Sequence, residues 1–202
     1  MAERASERAA IARRGKRLEY FTIAWNGTEG LIAVVAGVLS GSVALIGFGV
    51  DSFIEVISGS ALLWRMSAEA GENKDRIERA ALRIVGACFL ALAAYLLYDG
   101  GDHLWNHKPP EHNLPGIIVA IISLIVMPLL SRAKRRVGEE LGSAAMKADA
   151  KQTLFCVYLS GLLLAGLMLN AFFGLWWADA CAGFVMVPLI AQEGIESLRN
   201  KT

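Results

Sequence analysis

Six long apolar segments alternate with short polar segments along the chain. They cover roughly residues 20–39, 43–64, 80–98, 114–130, 153–173 and 175–191. A helix that crosses the hydrocarbon core of a bilayer needs about 20 apolar residues, so each segment predicts one transmembrane helix. The pattern is typical of an all-α membrane protein, a bundle of six transmembrane helices. We expect a cytoplasmic basic N-terminal arm over 1–17, the transmembrane domain over 18–196 and a short cytoplasmic tail over 197–202.

The composition supports a membrane protein and excludes several other classes. Of the 202 residues, 55% are hydrophobic and 19% are charged, which is too apolar for one soluble core of this size. A formal net charge of +1 gives no electrostatic reason to expect a nucleic-acid partner. The three cysteines lie singly in apolar runs, so they predict neither a disulfide framework nor a paired-cysteine zinc motif. The charged first residues lack the apolar core of a signal peptide.

The basic residues predict how the chain is oriented in the bilayer. Nineteen of the twenty Lys and Arg residues lie in the N-terminal arm, near the second-to-third loop, in the fourth-to-fifth loop or in the tail, and only Lys108 lies on the other side. The fourth-to-fifth loop that this pattern predicts includes Lys134. Because positive residues are retained on the cytoplasmic side, we expect a multi-pass protein of a bacterial or archaeal plasma membrane with both termini cytoplasmic.

Two carboxylates interrupt the second segment. Asp51 and Glu55 are four residues apart in GFGVDSFIEVISG, and this spacing places both on one face of a helix, one turn apart. Ionisable side chains within a membrane are costly and usually face a cavity or a partner. Two oxygen ligands at this spacing suit a divalent cation. The alternative is that each carboxyl is protonated or hydrogen-bonded inside the bundle.

A polar stripe runs along the fifth segment. Asp149, Gln152, Cys156 and Ser160 recur at spacings of three, four and four, which is one face of a helix. Gln152 and Cys156 repeat the spacing of the second-segment carboxylates, and a thiolate binds zinc or softer ions well. Cys156 is equally well explained as a small hydrophobic residue. Asp149 is a candidate for the ion path or, near the cytoplasmic end, a solvated charge.

A similar stripe of Thr22, Asn26 and Glu29 lies in the first segment. These residues either line the ion path or hydrogen-bond to a neighbouring helix, and Asn26 and Glu29 are candidates for path or outer-shell positions. Asp179, at the start of the last segment, has the position of a charge that satisfies free backbone N–H groups at a helix N-terminus. We interpret Asp179 as structural.

All three histidines fall in one predicted outer loop, YDGGDHLWNHKPPEHNLPG. His103 and His107 have a spacing that would share a metal ion on a helix, and His112 follows the Pro109-Pro110 pair. The loop is therefore a candidate for metal capture on the outer side. A solvated loop explains the same residues without any metal.

The chain resembles the cation diffusion facilitator family, six-helix exporters of zinc and related metals. The matching stretches are GSVALIGFGVDSFIEVISGS, ADAKQTLFCVYLSGLLLAGL and WWADACAGFVMVPLIAQEGIESL. The family carries an acidic residue or His and an Asp four apart on its second helix, where this chain has Asp51 and Glu55. On the fifth helix a His and an Asp follow an Asp-Ala pair; this chain keeps Asp149-Ala150 but has Gln152 and Cys156 as the two ligands.

The residues and the resemblance together predict a secondary transporter. It would export a divalent transition metal, zinc or a related ion such as cadmium, cobalt, iron or manganese, in exchange for protons, because one carboxylate site binds either. The resemblance implies metal ligands at Asp51, Glu55 and Cys156, with Gln152 as a fourth ligand or as an orienting group. It also implies no prosthetic group besides the transported metal, and a homodimer formed through the transmembrane helices. The alternative is a non-transporting accessory or sensor protein that binds metal. No His lies within a segment, so we expect no enzyme.

Overall fold

The structure, a computed structural model, describes residues 2–67, 74–106 and 114–199. These residues form six helices and no strand: α1 (Ala2–Ser40), α2 (Val43–Ser67), α3 (Lys74–Trp105), α4 (Leu114–Leu141), α5 (Ala144–Phe173) and α6 (Trp177–Arg199). All except α3 are long and apolar enough to cross a membrane, and α3 itself has 32 residues. The predicted all-α bundle of six helices is confirmed, and the chain is an integral membrane protein.

Three helices extend well beyond the predicted segments. The N-terminal arm is helical and continues directly into the first apolar segment, because α1 runs without a break through 39 residues. Its first half is rich in Ala, Arg and Glu, which are strong helix formers. α4 continues to Leu141, so the basic stretch predicted to be a loop is helical. α3 likewise continues to Trp105, through residues predicted to belong to the outer loop.

Very short turns join α1 to α2, α4 to α5 and α5 to α6. The turns contain Gly41, Gly142 and Gly174, each with a positive φ of 63° to 67°, a conformation that glycine adopts without steric cost. After Gly142, Ser143 caps α5 by accepting a hydrogen bond from the Met146 backbone N–H. Turns this short make α1 and α2, α4 and α5, and α5 and α6 antiparallel neighbours.

Glycines allow two pairs of helices to approach closely. α1 packs mainly on α2 and α3 mainly on α6. A Cβ added to Gly30 of α1 would lie 2.9 Å from the Gly49 carbonyl oxygen of α2, and one added to Gly86 of α3 would lie 2.8 Å from the Gly194 carbonyl oxygen of α6. Small residues at such contacts let helix backbones pack against each other in a membrane.

Asp179 ties the start of α6 to the start of α2. The Ser42 hydroxyl donates to Asp179 Oδ1 at 2.6 Å, and the Ala44 backbone N–H lies 3.4 Å from Oδ2. Asp179 is therefore structural in this conformation, but it caps the neighbouring helix α2 in addition to standing in the first turn of its own helix. The first N–H groups of a helix have no partner within it, and a buried carboxylate satisfies that need.

Two apolar clusters enclose a polar layer. The larger cluster includes Phe48, Leu96, Leu163 and Met186 and lies toward the α1–α2 turn. The smaller one joins Leu62, Val137 and Met146 toward the opposite end. Glu55 and Cys156 lie near the midpoints of α2 and α5, so this polar layer lies in the middle of the bundle. It consists of the buried side chains of Glu19, Thr22, Asn26, Glu29, Asp51, Glu55, Lys134, Asp149, Thr153 and Cys156.

Candidate metal centre

Asp51 and Glu55 both point into the bundle from α2. Each is 1% exposed, and their spacing of four residues places them one above the other on the same helix face. Neither carboxylate has a Lys or Arg within ion-pair distance among the described residues. Two buried carboxylates without a cationic side chain beside them suit a site that binds a cation or protons.

Cys156 of α5 completes a cluster with the two carboxylates. Its Sγ lies 2.9 Å from Asp51 Oδ2 and 2.9 Å from Glu55 Oε2, and the side chain is buried. A thiol carries one hydrogen, which the two carboxylates share in this arrangement. The structure thus brings together three of the four side chains predicted as ligands.

The cluster is contracted compared with a metal-filled site. Zinc bonds of about 2.3 Å to sulfur and 2.0–2.2 Å to oxygen, in a tetrahedron, separate the sulfur from each oxygen by about 3.6 Å. The observed separations are hydrogen-bond distances. Within 2–67, 74–106 and 114–199, no group of three or more His, Cys, Asp or Glu residues is arranged to hold a metal ion in this conformation. The three side chains would move apart by about 0.7 Å to hold an ion.

Gln152 forms its hydrogen bond with a different residue of α2. Its Oε1 accepts a hydrogen bond of 2.9 Å from the Ser58 hydroxyl, and Ser58 lies about one turn beyond Glu55 on α2. The side chain is 8% exposed, and Nε2 has no hydrogen-bond partner in the described part of the chain. The described residues show no hydrogen bond between Gln152 and Asp51 or Glu55, and the place of Gln152 in the four-residue ligand set stays a prediction.

The stripe on α1 forms one wall of the polar layer. Thr22, Asn26 and Glu29 are all buried, and Glu29 Oε2 accepts a hydrogen bond of 3.2 Å from the Ser52 hydroxyl, next to Asp51. Neither amide atom of Asn26 has a hydrogen-bond partner among the residues that the structure describes. Buried polar atoms without a protein partner commonly bind water or an ion, so Asn26 remains a candidate for the ion path.

Asp149 is not a solvated charge. It is 5% exposed and forms an ion pair with Lys134 of α4, which is fully buried. The assignment of Lys134 to a basic loop is therefore wrong. Lys134 also lies 3.2 Å from Glu19 of α1, a buried carboxylate that was not among the predicted site residues although its spacing of three from Thr22 continues the α1 stripe.

The outer histidines are placed only in part. His103 lies on α3, half-buried, and the ring is 3.8 Å from the position of a Cβ added to Gly41 in the α1–α2 turn. His103 is thus helical and not in a loop, because α3 continues past Gly100 and Gly101. His107 and His112 lie outside the described residues, so metal capture by the three histidines stays a prediction.

Known proteins with similar sequences point to the same family. The chain matches the family model of the cation efflux transmembrane domain over residues 21–202. It is 23% identical over 172 residues to the cation-efflux pump FieF of Shewanella oneidensis, a match that covers 82% of this chain and 58% of that protein. It is 26% identical over 178 residues to an uncharacterized transporter of Methanocaldococcus jannaschii, covering 85% and 62% of the two chains.

A vertebrate protein is also similar. Transmembrane protein 163 of Xenopus laevis is 26% identical over 175 residues, or 84% of this chain and 61% of that protein. The chain thus spans 58% to 62% of the length of these three curated relatives. The matched domain covers α2 to α6 in full and α1 from residue 21, and it includes Asp51, Glu55 and Cys156. The chain belongs to the cation efflux family, also called the cation diffusion facilitators.

Proposed function

We propose that this protein is a secondary transporter that exports a divalent transition metal ion from the cytoplasm. The observation that carries the proposal is the convergence of Asp51, Glu55 and Cys156 in the middle of the bundle. Two anionic oxygens and one sulfur are ligand types that zinc accepts. Membership of the cation efflux family supports transport by the same helices.

Exchange for protons follows from the chemistry of the same groups. Ligands must lose their protons to bind a metal, so metal and protons compete for one site. Alternating access of that site to the two sides of the membrane then couples their movements in opposite directions. Asp51 and Glu55 serve in this mechanism as both metal ligands and proton carriers, and Cys156 is the third ligand.

The test is metal uptake by liposomes that contain the purified protein, measured for zinc, cadmium, cobalt, iron and manganese with and without a pH gradient. We expect uptake of at least one ion, and we expect this uptake to be faster when the liposome interior is more acidic than the outside. Asp51→Ala and Glu55→Ala should each reduce uptake to the level of protein-free liposomes. Asp99→Ala is the matched control. It also removes a carboxylate, but the hydrogen bond of Asp99 is to Tyr95 on the same helix, α3, so this variant should transport at the native rate.

Two outcomes would contradict the proposal. If both single alanine variants transport at the native rate, the metal is not held by these carboxylates. If the native protein binds metal but moves none under any pH gradient, the protein is instead a metal-binding accessory or sensor protein.

A further inference from the structure

A fully buried lysine lies one step away from the carboxylate cluster. Lys134 Nζ donates to Asp149 Oδ2 and, at 3.3 Å, to Thr153 Oγ1, and it forms an ion pair of 3.2 Å with Glu19 Oε2. An ammonium group has three hydrogens and accepts none. Its three neighbours come from α1 and α5, so Lys134 of α4 binds both helices within the polar layer.

The Thr153 hydroxyl connects this lysine to the cluster. Thr153 is fully buried, and its oxygen contacts Lys134 Nζ, Glu55 Oε1 and the Asp149 backbone carbonyl, the last at 3.2 Å. Because an ammonium only donates, the threonine oxygen accepts from Lys134. The single hydroxyl hydrogen is then directed to Glu55 Oε1, which is the nearer of the two remaining acceptors.

These contacts fix the orientation of the Glu55 carboxylate. Oε1 is held by Thr153, and Oε2 is directed to Cys156 Sγ at 2.9 Å. We propose that Lys134, acting through Thr153, is a positioning residue that holds Glu55 with Oε2 toward the metal position. The inference rests on the proposed function, because Glu55 is a ligand only if the cluster binds metal.

Such a role has a measurable consequence for metal binding. Groups that hydrogen-bond to a metal ligand orient it, and their removal typically lowers metal affinity about 10- to 100-fold. A lysine that only neutralised Glu19 and Asp149 would act on folding and leave metal affinity unchanged. Thr153 separates the two roles, because a change at Thr153 breaks the connection to Glu55 and leaves both ion pairs of Lys134 in place.

The experiment is a cadmium titration of the purified protein in detergent, followed by the ultraviolet absorption of the thiolate–Cd²⁺ bond. Cys88 and Cys181, which are free and half-buried, are first replaced by Ala so that the signal reports Cys156 alone. We expect Thr153→Val to lower the affinity about 10- to 100-fold. Thr153→Ser retains the hydroxyl and should bind cadmium nearly as the parent does. Thermal unfolding is measured for each variant. We expect the valine variant to unfold at a lower midpoint than the serine variant, because it leaves Glu55 Oε1 without its donor, so affinities are compared at a temperature where both variants are folded.

Lys134→Met should lower the affinity in the same range if it folds. It leaves Glu19 and Asp149 without a cation, and for that reason Thr153→Val decides the question if the methionine variant does not fold. Native affinity in Thr153→Val would overturn the positioning role and leave the proposed site intact. Absence of a thiolate band in the parent protein would instead overturn the site itself, and the positioning role with it.

Discussion

Asp51, Glu55 and Cys156 meet at the candidate metal centre between α2 and α5. Asp51 and Glu55 could be assigned to one face from the sequence because a spacing of four is a property of the helix itself. The contact of Cys156 with both depends on how α5 packs on α2, which the polar stripe indicated but could not fix. Gln152 belongs to the same stripe, yet it is directed to Ser58, since side chains one turn apart on α5 meet different turns of α2.

The burial of Lys134 is not evident from the run of basic residues in which it lies. Its neighbours Arg132, Arg135 and Arg136 are exposed, whereas Lys134 is fully buried. Nothing in the residue types distinguishes the four. The helical phase would have done so, because Lys134 continues the buried positions of Met127 and Ser131 at intervals of four and three residues.

The sulfur of Cys156 should influence which metal ion the protein prefers. Sulfur favours softer ions, and ligand type rather than intrinsic affinity order decides selectivity. We expect Cys156→Ser to weaken binding of cadmium and zinc relative to manganese by about tenfold, or ~1.4 kcal/mol. The double change Gln152→His with Cys156→Asp should move the preference toward zinc. Competition between ions for uptake into liposomes measures both effects, and an unchanged ranking in both variants would place the fifth-helix residues outside the ligand set.

At the scale of helices, the elements themselves were predictable and their ends were not. Apolar segments marked the membrane-embedded parts, because the bilayer imposes a length on them. The polar continuations of α1, α3 and α4 gave no such signal. α3 passes through Gly100 and Gly101, residues that lower helix propensity, where Gly100 lies against the ring of Phe184 of α6. Tertiary packing therefore supports a helix where local propensity predicts its end.

The cap that Asp179 forms on α2 should stabilise the bundle. Replacing Asp179 by Ala removes the acceptor for the Ser42 hydroxyl and the Ala44 N–H. Loss of a helix cap typically costs about 0.5–2 kcal/mol, so thermal unfolding in detergent should occur at a lower temperature. Cadmium affinity should be unchanged, because Asp179 is not in contact with the carboxylate cluster. Asp179→Asn keeps one acceptor and should be less affected; equal stability of the native and Ala variants would contradict the capping role.

At the scale of the whole molecule, the distribution of basic residues supports one orientation. The ends of α2, α4 and α6 and the starts of α1, α3 and α5 meet at one end of the bundle, since successive helices alternate in direction. The basic residues of the described chain lie mainly at that end. Lys134 is buried and no longer counts as a surface charge, but the other basic residues at this end still support the same orientation.

Labelling of single cysteines tests this orientation. In a protein whose own three cysteines are replaced by Ala, Glu140→Cys lies on an exposed position near the end of α4, and Trp105→Cys replaces a side chain that is 85% exposed at the end of α3. The positive-inside rule predicts that an impermeant maleimide added to intact cells labels position 105 and not position 140. The reverse pattern would show that the termini face outward.

The glycine contacts described above also determine which parts of the molecule are stiff. Where backbones touch, as at Gly30 with Gly49 and at Gly86 with Gly194, one helix cannot slide past its partner without separating from it. Packed interfaces are bistable and not continuously deformable. The α1–α2 and α3–α6 pairs should therefore each move as one rigid body. The contact between α2 and α5 is smaller than that between α1 and α2, so a movement of α5 relative to the α1–α2 pair would separate Cys156 from Asp51 and Glu55.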